Sequence, residues 1–273
     1  MKPTKKSAET HPDRATLSSF FDELADGARA IGLTHFRSLS AYDRKEDLSP
    51  VTVADKAIEE YLRARIQQRF PDHGIVGEEH EEKAGSARFT WYLDPIDGTK
   101  SFISGMPLFG TLIALYDEEL GAPIFGMIDM PALGERWVGD SKETHLNGRR
   151  VSVSACTALD QAQIYTSSPD IFSDEDWQVY DRLSRRAAFR RFGGDCYLYG
   201  LLASGYCDLV VETSLKTFDF MALIPVVEGA GGFIRDWRGD VLTPLSDGRV
   251  VAAATQELLQ SALMDTQKAE QVS

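Results

Sequence analysis

Basic charge is in short supply: 29 lysines and arginines face 42 aspartates and glutamates, a formal net charge of -13 over 273 residues. Such a surface repels a polyphosphate over most of its area, which argues against a nucleic-acid partner. A small phosphate ester stays open, because bound divalent cations reverse the local field. Cysteine is scarce as well. Cys156, Cys196 and Cys207 form no CxxC pair, and an odd count at loose spacing suits reduced thiols in a cytoplasmic protein, packed as small hydrophobes. No apolar run approaches the roughly 20 residues that span a bilayer, so no membrane partner is expected. The opening MKPTKKSAETHPDRA has basic residues without an apolar stretch behind them, so it does not read as a secretory signal. Residues 1–15 and the closing QKAEQVS are expected to be disordered tails. His11, His35, His73, His80 and His145 are scattered in polar stretches and none has ligand spacing. GxxxxGK[ST], GxSxG and HExxH are all missing, and EGAGGF fails GxGxxG because Ile234 stands where the last glycine belongs.

What is present is a chain with a core: 43% hydrophobic and 10% aromatic residues. Leu17, Phe20, Phe21, Leu24, Ala28 and Ile31 predict an amphipathic helix over 16–39, and Ile58, Leu62 and Ile66 a second that starts around Asp55 and stops at Pro71. GIVGEE, FTWYLD, LFGTLIALYD, APIFGMIDM, ERWVGD and THLNGRRVSV read as strands, the later ones as a meander with Asn147-Gly148 at a turn. Beyond residue 155 strands and helices alternate, with DFMALIPVVEGAGG as one helix and TQELLQSALMDTQKA as the last. An α+β half (16–150) is therefore expected before an α/β half (151–262), with the site at their interface.

The distinctive feature is acids at element ends. In WYLDPIDGTKSF, Trp91-Tyr92-Leu93 read as a buried strand ending at Asp94; Pro95 sets a tight turn and Asp97 returns to the same side. Gly98 lets a ligand approach the backbone, and Thr99 suits the N-cap of a following helix. Carboxylates this close have raised pKa values unless a cation neutralises them. A hard ion such as Mg2+ does so with oxygen ligands, and amides at a helix start bind phosphate. Taken alone, DxxDGT also fits an acidic surface turn, Glu78-Glu79 a solvated charge run, and Asp55 and Asp219 plain first-turn acids. Acids at four such places, in a chain with no other catalytic motif, together point to a metal-dependent phosphate-ester site.

At these residues the chain resembles the inositol monophosphatase family of Mg2+-dependent, lithium-sensitive phosphatases, over roughly residues 16–260. DPIDGT, SPVTVAD after Lys45, GEE, and Asp219 followed by EGAGG carry the likeness. Phe218 departs from it, since the family usually has Trp before that aspartate. The resemblance implies a five-layered αβαβα sandwich, usually homodimeric, with two or three Mg2+ ions. It implies that Glu78, Asp94, the Ile96 carbonyl, Asp97 and Asp219 are metal ligands, with Asp94 bridging two ions. Asp55 and Thr99, with Glu78, would serve catalysis by orienting the attacking water, and the Gly98 and Thr99 amides would hold the phosphate.

Within the family, GTKSFISGMPLFGTLIAL and the stretch from GGDC to EGAGG resemble the histidinol-phosphate phosphatase branch. Asp195 beside Glu212 would pair with the cationic groups of L-histidinol phosphate, which a neutral polyol would not need; Asp195 could instead cap the following helix. Hydrolysis of L-histidinol phosphate in histidine biosynthesis is the expectation. The alternatives are inositol 1-phosphate or sugar phosphates, adenosine 3',5'-bisphosphate, and a non-catalytic phosphate or metal sensor.

Overall fold

The computed structural model describes residues 13–38, 43–44, 50–51 and 53–270; Lys45, Ser49 and Thr52 of the motif around Asp55 lie outside them. Helix α1 (Arg14–His35) buries Leu17, Phe20, Phe21, Leu24 and Ala28 along one face. It begins inside the stretch expected as tail, because Asp13 Oδ1 accepts the Thr16 N–H at 3.0 Å and caps the first turn. Strands β1 (Asp43–Arg44) and β2 (Pro50–Val51) pair as an antiparallel ribbon ahead of α2 (Val53–Arg69), which turns Ile58, Leu62 and Ile66 inward.

A seven-stranded sheet follows, in chain order: β3 (Gly74–Gly77), β4 (Phe89–Asp97), β5 (Gly110–Asp117), β6 (Ala122–Met130), β7 (Glu135–Gly139), β8 (Thr144–Leu146) and β9 (Arg149–Val151). Strand β3 runs parallel to β4 and the rest form the expected antiparallel meander. Short helix α3 (Thr99–Ser104) lies between β4 and β5.

The second sheet has the order β11-β10-β12-β14-β13. It is assembled from β10 (Gln163–Thr166), α4 (Asp174–Ser184), β11 (Phe189–Phe192), α5 (Tyr197–Ala203), β12 (Leu209–Glu212), α6 (Thr217–Phe220), α7 (Leu223–Gly229), β13 (Phe233–Asp236), β14 (Val250–Ala253) and α8 (Gln256–Glu270). The helix expected from Asp219 to Gly232 is two helices, broken at Met221-Ala222. Pro225 explains the break: it has no N–H to bond the carbonyl four residues back, so it is accommodated only in the first turn of a new helix. At the other end, α8 continues through Glu270, into the stretch expected as tail, with Asp265 and Thr266 buried.

Three cores set the layering. One packs α1 and α2 on the outer face of the seven-stranded sheet through Ile113, Leu115 and Trp91. The next packs α5 and α7 between the sheets, with Leu112 and Ala114 from β5 meeting Val210, Val250 and Ala252. The last seats α4 and α8 on the far face of the second sheet over Leu209, Val211, Val251 and Ala253. Alternate residues of β5, β12 and β14 thus enter different cores, which is why these strands carry continuous apolar runs, Leu112 to Leu115, Leu209 to Val211 and Val250 to Ala253, rather than alternating apolar and polar residues. The result is the αβαβα order of layers.

Candidate active site

The two aspartates of DPID are brought together by a β-bulge, not by the tight turn expected. Strand β4 runs through the motif: Asp94 pairs with Leu112 and Asp97 with Gly110, so four residues on β4 oppose three on β5. Residues three apart on a regular strand face opposite ways; one extra residue puts both carboxylates on one side. Pro95, which cannot donate to the ladder, occupies the irregular stretch, and its carbonyl accepts the Thr111 hydroxyl at 2.8 Å. The cap of α3 is Gly98 at φ +82, and Thr99 is the first helical residue, not the N-cap. The Thr99 hydroxyl donates to the Ile96 carbonyl at 3.0 Å, which fixes that carbonyl's direction.

Asp219 joins from the second half. It lies in the first turn of α6, where its carboxylate accepts the Lys216 N–H at 2.6 Å. One oxygen each of Asp94, Asp97 and Asp219 lie within 4.8 Å of one another. Glu78, just after β3, and Asp55, in the first turn of α2, fall outside that trio but are near enough to act on it. Burial pushes the Asp94 carboxyl well above the usual carboxylate range, and Glu78, Asp97, Asp219 and Asp55 push it further. Burial, then Asp195 and Asp219, raise Asp97 in the same way. Asp219 is pushed up to about 7, chiefly by burial, with Glu78 adding to the rise and the Lys216 N–H opposing it.

Asp94 is 2% exposed, and its Oδ1 has no hydrogen-bond partner among the described residues. A buried carboxylate oxygen without a donor, amid four more acids, is the environment a hard cation satisfies: oxygen donors only, and excess negative charge. The residues present therefore fit divalent metal.

Asp97, Asp195, Glu212, Ser167 and Tyr199 line one cleft of about 90 Å³ between the two halves. Asp195 does not cap α5: its backbone is left-handed at φ 47, the N-cap is Cys196, and no side chain caps that helix. The Asp195 carboxylate instead accepts the Ser101 hydroxyl at 3.3 Å, facing the DGT backbone. Burial raises it, while Ser101 and nearby Lys100 pull it back. Glu212 is 2% exposed and accepts the Ser167 N–H at 2.8 Å, the Tyr199 hydroxyl at 2.9 Å and the Ser167 hydroxyl. Burial raises Glu212, and those three donors oppose the rise. The Cys196 N–H donates to Asp97. The roles of Thr111, Ser167, Tyr199 and the Cys196 amide were not legible beforehand, since each depends on contact with a distant segment.

Gly98 has two reasons to be glycine. Its φ is left-handed, and an added Cβ would stand 2.8 Å from Asp195 Oδ2 and 2.9 Å from the Leu108 carbonyl. Gly98→Ala is expected to lower kcat/KM by about 100-fold, on the scale of an ångström-sized misplacement, with a stability loss of about 1–3 kcal/mol. Steady-state kinetics alongside thermal melts check this; wild-type kinetics would mean that the DGT backbone does not need this approach to Asp195.

The family model described as "Inositol monophosphatase family" matches residues 13–271. The bifunctional phosphatase IMPL2, chloroplastic, of Arabidopsis thaliana is 47% identical over 85% of this chain and 67% of its own length. The histidinol-phosphatase of Chlorobaculum parvum is 39% identical over 80% of this chain and 84% of its own. An inositol monophosphatase structure from Zymomonas mobilis superposes with a TM-score of 0.85 at 43% identity, over 94% of this chain and all of that one. Fold, acid cluster and these likenesses agree: the chain belongs to the inositol monophosphatase family, a family of generally Mg2+-dependent phosphatases.

Proposed function

We propose that the protein hydrolyses L-histidinol phosphate to L-histidinol and phosphate, the reaction expected in histidine biosynthesis. The observation that carries this reading is the pair Asp195 and Glu212, two carboxylates facing the same cleft as the metal cluster. The ester has an ammonium and an imidazole beside its phosphate, and acids lining the same cleft suit such a cation. The histidinol-phosphatase of Chlorobaculum parvum supports the same substrate.

In this reading Glu78, Asp94, Asp97, Asp219 and the Ile96 carbonyl would hold Mg2+, two or three ions per site. When bound, the metal supplies Lewis acidity at the phosphate and lowers the pKa of the attacking water. The chain does the rest by placement. Asp55 and Thr99 orient the water, and the Gly98 and Thr99 amides hold the phosphate oxygens at the start of α3. Three donors fix the orientation of Glu212, while Asp195 keeps its place beside Gly98. Positioning and electrostatics are most of what phosphoryl transfer requires of a protein.

Inositol 1-phosphate is the second reading, favoured by the likeness to the Zymomonas mobilis inositol monophosphatase. Phosphate release from L-histidinol phosphate, inositol 1-phosphate and adenosine 3',5'-bisphosphate, each with Mg2+ and with EDTA, separates the readings. An EDTA-sensitive preference for histidinol phosphate is expected; preference for another ester keeps the metal site and discards the substrate, and inactivity on all three favours a sensor.

Asp195→Asn isolates the residue, because Asn tolerates the left-handed backbone that Asp195 adopts. Losing a charge-assisted hydrogen bond is worth about 1.5–3 kcal/mol, so KM for histidinol phosphate should rise roughly 10-fold to 100-fold, with inositol 1-phosphate nearly unaffected. Equal losses on both esters would make Asp195 a support for the DGT backbone only.

A further inference from the structure

We propose that the buried pair Glu59–Arg63 of α2 is the positioning device for Glu78, and so sets metal affinity at the site. The inference rests on Glu78 being a metal ligand.

Glu59 lies four residues after Asp55 on the same face of α2 and is fully buried; the Arg63 side chain is 11% exposed. Arg63 Nε donates to Glu59 Oε1 at 2.7 Å. The other Glu59 oxygen accepts the Glu79 N–H at 2.7 Å, the amide of the peptide that leaves Glu78. Arg63 Nη2 donates to the His80 carbonyl at 3.1 Å. On the near side of Glu78, a Cβ on Gly77 would stand 2.2 Å from Glu59 Oε1, so the incoming backbone lies directly on this carboxylate. One ion pair thus packs against the chain just before Glu78 and holds it by hydrogen bonds just after.

The location explains why such a hold is needed. Strand β3 is the edge of the seven-stranded sheet, and the loop after it returns to that edge only at Lys83, which bridges Ile75 through two backbone hydrogen bonds and leaves Glu78 to Glu82 outside any ladder among the described residues. Glu78 approaches Asp94 and Asp219, two acids of its own charge. A loop at a sheet edge carrying a repelled carboxylate swings toward water unless it is tied down. Stability alone does not account for the pair, since a buried ion pair is often replaceable by apolar groups at no cost. What it supplies is a fixed direction, and it links the helix carrying Asp55 to the loop carrying Glu78.

The test uses the full chain with Mn2+ alone as the calorimetric probe and Mg2+ in the assay. Arg63→Met keeps the aliphatic stem and removes the donors. Mn2+ binding should weaken about 10-fold to 100-fold, the range for partners that orient metal ligands, and the Mg2+ concentration for half-maximal activity should rise by the same factor. The kcat at saturating Mg2+ should recover most of its value, and Arg63→Lys should restore part of the affinity. Unchanged Mn2+ affinity together with a lower melting temperature would overturn the proposal and leave the pair a purely structural element. Glu78→Gln is the control for the underlying reading: if it leaves Mn2+ affinity intact, Glu78 is not a ligand, whatever Arg63→Met does. Should Arg63→Met fail to fold, Glu59→Gln carries the test. It keeps an acceptor for the Glu79 N–H and drops the charge that orients Arg63, and unchanged Mn2+ affinity there overturns the proposal equally.

Discussion

Asp94→Asn is expected to cut phosphate release about 1000-fold while raising the melting temperature of the metal-free protein. The first effect follows from losing a ligand where metal contributes several kcal/mol to the reaction, about a factor of ten per 1.4 kcal/mol. The second follows from electrostatics. Asp94 is held well above the usual carboxylate range by burial and by four neighbouring acids, and without metal its charge is a cost to the fold. Asparagine fills nearly the same volume without that charge, and sites built for chemistry commonly gain stability when their charges are removed. Phosphate release with saturating Mg2+ and melts in EDTA at pH 8 are the measurements. Near-normal turnover would remove Asp94 from the metal site, and a lower metal-free melting temperature would mean that its carboxylate supports the fold.

Mg2+ is expected to stabilise the protein more at pH 8 than at pH 5.5. Asp219 is pushed up to about 7, and Asp94 and Asp97 lie well above the usual carboxylate range. In the metal-free fold these groups therefore hold protons that the unfolded chain, with carboxyls near 4, has released. Where the folded state binds more protons, stability falls as pH rises, so the metal-free protein should lose stability from about pH 4 up through pH 7. Above that range the ionised cluster is repelled within itself and binds a cation best; below it, protons compete with the metal. At a hundredfold excess over its dissociation constant a ligand adds about 2.7 kcal/mol. For a chain of this size that is roughly 5–10 °C in melting temperature at pH 8. Melts across pH with Mg2+ and with EDTA check this. An Mg2+ shift that shrinks as pH rises would contradict the account of the cluster.

Both results depend on acids whose positions were legible in the sequence to very different degrees. Helix α2 followed from the spacing of Ile58, Leu62 and Ile66, and that placed Asp55 in its first turn. Strand β4 followed from its apolar run, but its continuation through Pro95 did not. A proline between two aspartates reads locally as a turn, and only pairing with β5 shows the extra residue as a bulge. Asp195 was legible as a substrate carboxylate or a cap, but its left-handed φ was not, nor its carboxylate's contact with Ser101 in the space that Gly98 leaves open. Nothing in the sequence singled out Glu59 and Arg63, opposite charges at i,i+4 spacing on a helix. Their burial comes from the loop after β3 folding over them.

The amino-acid sequence by itself determined the order of helices and strands, the continuous apolar runs that commit β5, β12 and β14 to two cores each, and the placing of acids at element ends. Those are properties of neighbours along the chain, set by periods of about 2 and 3.6 residues. Only the tertiary structure decided which acids meet. Asp94 and Asp97 share a side because β5 sets their register. Asp219 reaches them because α6 packs against β4 and β5. Glu212 faces the same cleft because β12 is a central strand, with β10 and β14 on either side. Local preference cannot encode such distances, since they arise from packing between segments far apart in the chain.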